Sequence, residues 1–91
     1  MSDSDRYALR IAKTAEKDLL VLPPKIFKQI VGKLLSLQGE PHPQDCKALK
    51  GYPGGYRVDQ GEYRILYTIE ESEVRVFKVG KRNDGEVYRN L

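Results

Sequence analysis

Ninety-one residues leave room for one domain, residues 1–91, whose core buries only about two-thirds of the unfolded chain's surface. With 40% hydrophobic and 32% charged residues, the composition excludes a disordered chain and fits a folded domain of modest stability. A net charge of +3 suits an anionic partner, while the lone Cys46 excludes an intrachain disulfide and a cysteine-rich zinc site and points to a reducing compartment. No apolar run is long enough to span a bilayer and the first residues do not read as a signal segment, so a cytoplasmic protein without membrane attachment is expected.

Arg6 to Ala12 alternates, with Tyr7, Leu9 and Ile11 on one side, and predicts a first strand. Thr14 then reads as a helix N-cap, with Glu16 and Asp18 in the first turn favouring the helix dipole. The short helix buries Ala15, Leu19 and Leu22 and ends at Pro23-Pro24, because the residue before a proline is pushed out of the helical region. A second helix, Pro24 to Gln38, places Ile26, Phe27, Ile30, Val31, Leu34, Leu35 and Leu37 in a broad stripe at spacings of three and four. Gly32 in its middle costs about 1 kcal/mol relative to alanine or marks a close helix contact. Gly39 suits the end of this helix, and the proline-rich run from Glu40 to Asp45 is a linker. Its His42 has no second histidine nearby, so no metal site is expected, nor any cofactor.

Tyr56, Val58, Tyr63, Ile65 and Tyr67 fall at alternate positions, and Asp59-Gln60-Gly61-Glu62 supplies a turn with glycine, so Lys47 to Tyr67 reads as a loop followed by a hairpin. Strict alternation sets Arg57 and Asp59 opposite Val58, and Arg64 opposite Ile65. After Glu71-Ser72, a further strand from Val74 to Lys81 carries Val74 and Val76 on one face and Arg75, Phe77 and Val79 on the other. Asn83-Asp84-Gly85 is a turn, and Glu86 to Leu91 a short tail. The predicted fold class is α+β: a helical hairpin packed on one face of a mainly antiparallel four-stranded sheet.

The residues that stand out chemically are basic. Arg57, Arg64, Lys81 and Arg82 read either as ordinary charges on a solvated face or as a cluster on the bare side of the sheet, where guanidinium groups bind phosphate bidentately. A concave cluster also stabilises a pentavalent phosphate more than its ground state, which is catalysis. Tyr88 is a packing aromatic, a stacking surface for a base, or a proton donor or acceptor; its spacing does not choose. Asp59 shares the face of Arg57 and is a candidate general base, while Lys47 and Lys50 offer further phosphate contacts.

The run Leu49-Lys50-Gly51, Pro53, Tyr56-Arg57-Val58, Gly61, Tyr63-Arg64-Ile65-Leu66-Tyr67, then Val79-Gly80-Lys81-Arg82 and Glu86-Val87-Tyr88, resembles the RelE/ParE superfamily of toxins, and the RelE branch most. The resemblance implies a fold like that of microbial RNases and an endoribonuclease cutting mRNA in the ribosomal A site. The ribose 2′-hydroxyl attacks the adjacent phosphate, leaving a 2′,3′-cyclic phosphate and a 5′-hydroxyl. Arg64 and Arg82 match the arginines that contact the phosphate, and Tyr88 the tyrosine that stacks on or orients the nucleotide. Arg57 stands where the branch often has a lysine, and Asp59 where it has another lysine proposed as a base. The implied partners are a cognate RelB-like antitoxin, the ribosome with its mRNA, and operator DNA for the antitoxin complex. Two alternatives remain open: a ParE-like inhibitor of DNA gyrase that has no chemistry of its own, and a non-catalytic binding module.

Overall fold

The computed structural model describes residues 6–82. Along the chain run β1 (Ala8–Ile11), α1 (Lys13–Leu20), α2 (Pro24–Ser36), β2 (Lys47–Ala48), β3 (Gly55–Gln60), β4 (Tyr63–Glu70) and β5 (Glu73–Lys81). The strands form one five-stranded sheet in the order β1-β5-β4-β3-β2. All neighbours are antiparallel except β1 and β5, which lie parallel. The expected architecture is present with one strand more than the sequence pattern predicts, because Lys47-Ala48, expected as loop, pairs with Tyr56 and Arg57 as a two-residue edge strand.

The core lies between the helices and one face of the sheet. Ala15 and Leu19 from α1, Ile30, Leu34 and Leu37 from α2 and the turn after it, and Val58, Ile65, Tyr67, Val74, Val76 and Val79 from the strands are all buried together. The apolar stripe of α2 is narrower than its sequence suggests: Phe27 and Leu35 remain 40% and 50% exposed. Gly32 is exposed with open space where a Cβ would sit, so it marks no helix contact. At the far side of the core the Tyr67 hydroxyl donates to the Pro41 carbonyl at 2.9 Å, which anchors the proline linker, and burial raises the ionisation of that phenol far above its ordinary value.

Beside and within β5, two local features depart from the pattern expected of the sequence. Leu66 pairs with Lys78 but Tyr67 with Val76, so Phe77 is the extra residue of a β-bulge. The bulge resets the alternation in β5 and returns Val79 to the core face, against the expectation that it shared a side with Arg75 and Phe77. The second feature is Thr14. The N-cap of α1 is Ala12, and Thr14 sits inside the helix with its hydroxyl donating to the Phe77 carbonyl at 2.6 Å. Four residues on, Asp18 Oδ2 accepts from the Val79 N–H at 2.9 Å. β1 pairs only with Glu73 to Val76, so the rest of β5 lacks a strand on that side; these two helix side chains satisfy backbone groups that a sheet edge leaves open.

Candidate functional site

The β3–β4 hairpin turns on two residues, Gly61 and Glu62, since Gln60 pairs with Tyr63. Gly61 has φ +60°, the left-handed conformation that a two-residue hairpin with glycine first demands. This turn is tighter than the four-residue one expected from the sequence, and the difference places Asp59 directly opposite Arg64. The next position across, in β5, is Gly80, which has no side chain. Two residues further on, the Arg82 N–H donates to the Glu62 carbonyl at 3.0 Å, tying the end of β5 to the hairpin turn.

Asp59 is the centre of the resulting cluster. Arg64 grips it with two nitrogens, Nε to Oδ1 at 2.7 Å and Nη2 to Oδ2 at 3.3 Å, and Arg82 Nη1 reaches the same Oδ2 at 3.3 Å. Arg64 is the more enclosed partner, with 16% of its side chain exposed against 44% for Arg82. Arg57 lies two residues before Asp59 on the same side of β3, and no carboxylate lies within ion-pair distance of it among the described residues. The hydrogen bond from Arg64, together with the charges of Arg64, Arg82 and Arg57, holds the Asp59 carboxyl below its ordinary value, against an opposing effect of burial. A carboxylate so stabilised is a weak proton acceptor, which counts against a role as general base.

The remaining candidates divide. Lys47 is the register partner of Arg57 and shares its side of the sheet, so it extends the basic row beside the cluster. Lys50 sits in the loop before β3, at the opposite end of that strand from Asp59, and is not brought to the arginines. Nor is Lys81: it pairs with Tyr63, one residue off the Arg64 row, and lines a cleft on the helical side with Tyr63, Val21 and Leu22. Tyr88, with the turn and tail expected from Asn83 onward, lies outside the described residues.

Sequence reasoning misses what neighbours the cluster on the open side. Leu66 lies in the row between Arg57 and Lys78, away from the helices, yet is fully buried. The rings of Tyr52 and Phe77 stack there with centroids 4.9 Å apart and planes inclined by 9°. Tyr52 rests against Gly55, where an added Cβ would come within 2.7 Å of its ring. The signal available is the unbroken apolar run Ile65-Leu66-Tyr67, which fills both faces of β4. Lys78, the register partner of Leu66, pairs its ammonium with Asp18 at 3.6 Å.

Known proteins resemble this chain along most of its length. The family model of the ParE toxin of type II toxin–antitoxin systems, parDE, matches residues 9–85. Toxin RelE of Mycobacterium tuberculosis is 32% identical over 77 residues, 84% of this chain and 79% of that protein. Among solved structures, the toxin–antitoxin complex RelBE2 of M. tuberculosis superposes with a TM-score of 0.76 at 32% identity, covering 85% of this chain and 92% of that one. The isolated RelE toxin of E. coli gives 0.73 at 28% identity, covering 90% of each chain.

Proposed function

Since the chain belongs to the RelE/ParE superfamily and is a RelE-type toxin of a toxin–antitoxin system, we propose that it is a ribosome-dependent endoribonuclease that cuts translated mRNA in the A site. The observation that carries the reading is the convergence of Arg64, on β4, and Arg82, just past the end of β5, on one pair of anionic oxygens. A group that holds a carboxylate in this way has the donors to hold a phosphodiester, which presents two charged oxygens of the same kind.

In this reading the 2′-hydroxyl attacks the adjacent phosphorus, the 5′-oxygen departs, and a 2′,3′-cyclic phosphate and a 5′-hydroxyl remain. Arg64 and Arg82 bind the equatorial oxygens, whose charge grows in the pentavalent state, so their attraction is greater there than in the ground state. Arg57 and Lys47 add positive potential along the strand path, Lys50 and Lys81 contact the RNA further out, and Tyr88 stacks on a nucleotide. The low proton affinity of Asp59 leaves rate enhancement to positioning and charge, with the ribosome holding the message in line. Action in the cytoplasm follows from that substrate. The partner is a RelB-like antitoxin, as in the RelB–RelE complexes solved from Methanococcus jannaschii and E. coli, and in this reading the pair binds its own operator DNA.

Inducing the protein and mapping the 5′ ends of cellular mRNA tests this. Breaks in translated regions, lost in Arg64→Ala and Arg82→Ala variants that still fold, are the expected result. The match to the ParE model favours a second reading, a gyrase inhibitor without chemistry; intact mRNA with damaged DNA would establish it instead.

A further inference from the structure

The arginines of this cluster already hold an anion, and that anion belongs to the protein. Asp59 offers two oxygens and one negative charge, as a phosphodiester does, and it takes hydrogen bonds from both Arg64 and Arg82. A ligand needing the same donors must compete with it. The two contacts are unequal. Arg64 binds through two nitrogens and is largely enclosed, whereas Arg82 uses one nitrogen at 3.3 Å and is 44% exposed. The backbone of Arg82 is fixed to Glu62, so its side chain can swing to another anion while the chain stays in place.

Resting on the reading of this cluster as a phosphate site, we propose that Asp59 is an internal counter-anion from which the incoming phosphodiester takes Arg82, so that this one carboxylate sets the affinity for RNA. Arg64 keeps its 2.7 Å Nε–Oδ1 bond to Asp59 throughout, while its Nη2 and the Arg82 guanidinium, each 3.3 Å from Oδ2, pass from the carboxylate to the phosphate. The carboxylate also repels the entering phosphate and cancels one of the three guanidinium charges around it. The protein therefore binds RNA more weakly than its arginines alone would allow, and depends more on the ribosome to present the message.

The test measures binding apart from cleavage. A fluorescent single-stranded oligoribonucleotide with 2′-O-methyl sugars lacks the attacking hydroxyl, and fluorescence anisotropy at low salt reports its affinity. Asp59→Asn, confirmed folded by its thermal melt, should bind about fivefold to tenfold more tightly than the unmodified protein; Asp59→Ser serves if the Asn variant does not fold. Glu70→Gln makes the same charge change at the far end of β4, ~20 Å from the cluster at about 3.3 Å per residue, and should change binding less than about twofold. Adding Arg82→Ala to Asp59→Asn should remove the gain. Equal tightening by Glu70→Gln and Asp59→Asn, weaker binding by Asp59→Asn, or a gain that survives loss of Arg82 would each overturn the proposal. Tighter binding without mRNA breaks in cells would instead defeat the nuclease reading and leave the counter-anion standing.

Discussion

The two faces of the sheet are built on different terms. Under the helices, Val58, Ile65, Tyr67, Val74, Val76 and Val79 are at most 3% exposed and make one continuous apolar layer with α1 and α2. The opposite face is divided: one end carries the Tyr52–Phe77 stack and buried Leu66, the other the Asp59, Arg64 and Arg82 cluster. Covering a face with helices fixes the fold and leaves nothing to offer a ligand. Leaving a face without them is tolerable only if its charges are arranged, and here opposite charges meet at the end where β3 and β5 finish and β4 begins.

That contrast can be broken experimentally. Leu34→Ala opens a cavity in the covered layer and should cost about 2–5 kcal/mol in urea unfolding. Leu66→Ala tests whether the open face holds a core of its own, and should cost about 2–3 kcal/mol because neighbouring side chains there can relax. A loss under about 0.5 kcal/mol would mean the burial of Leu66 contributes nothing. Gly55→Ala should cost about 1–3 kcal/mol, since the new Cβ meets the Tyr52 ring at 2.7 Å and the Tyr52 carbonyl oxygen at 3.1 Å. A matching fall in near-ultraviolet circular dichroism would locate the damage in the aromatic stack. The smallest effect belongs to the charged end. The Asp59 carboxyl titrates below its ordinary value of 3.8 in the folded protein. Its stabilising contribution is therefore complete above about pH 4 and lost as pH falls through the lower folded value. Because about a third of Asp59 is exposed, screening keeps the effect small; acid titration of stability should show it in the natural protein and not in Asp59→Asn.

Period-two and period-three-to-four patterns are enough to place both helices, three long strands and most of the covered layer, because each of those elements has one apolar side. They are not enough where alternation is interrupted. Nothing in Val74 to Lys81 announces that Phe77 bulges, since the bulge is set by how β5 registers against β4, and so strict alternation puts Val79 on the wrong face. Thr14 has the chemistry of a cap, yet the free edge of β5 claims its hydroxyl, a demand that exists only in three dimensions. At the candidate site, alternation alone aligns Arg57, Asp59 and Arg64 on one side. The Asp59–Arg64 pairing is hidden by a turn that the sequence makes look two residues too long, which counts Asp59 as part of the reversal instead of the ladder. Arg82 joins them through a backbone contact to Glu62 that no spacing rule encodes.

The parallel pairing of β1 with β5 joins the first and last strands of the described residues: Ala8 lies beside Glu73 and Ile11 beside Val76. During synthesis the sheet therefore lacks the strand that joins β1 to β4 until β5 has been made, and long-range contacts of this kind form late. A nascent chain has neither a finished sheet nor the guanidinium of Arg82 until its message has been read through that position. For a protein proposed to attack messages on ribosomes, the order of assembly itself delays the hazard until β5 and Arg82 have been translated.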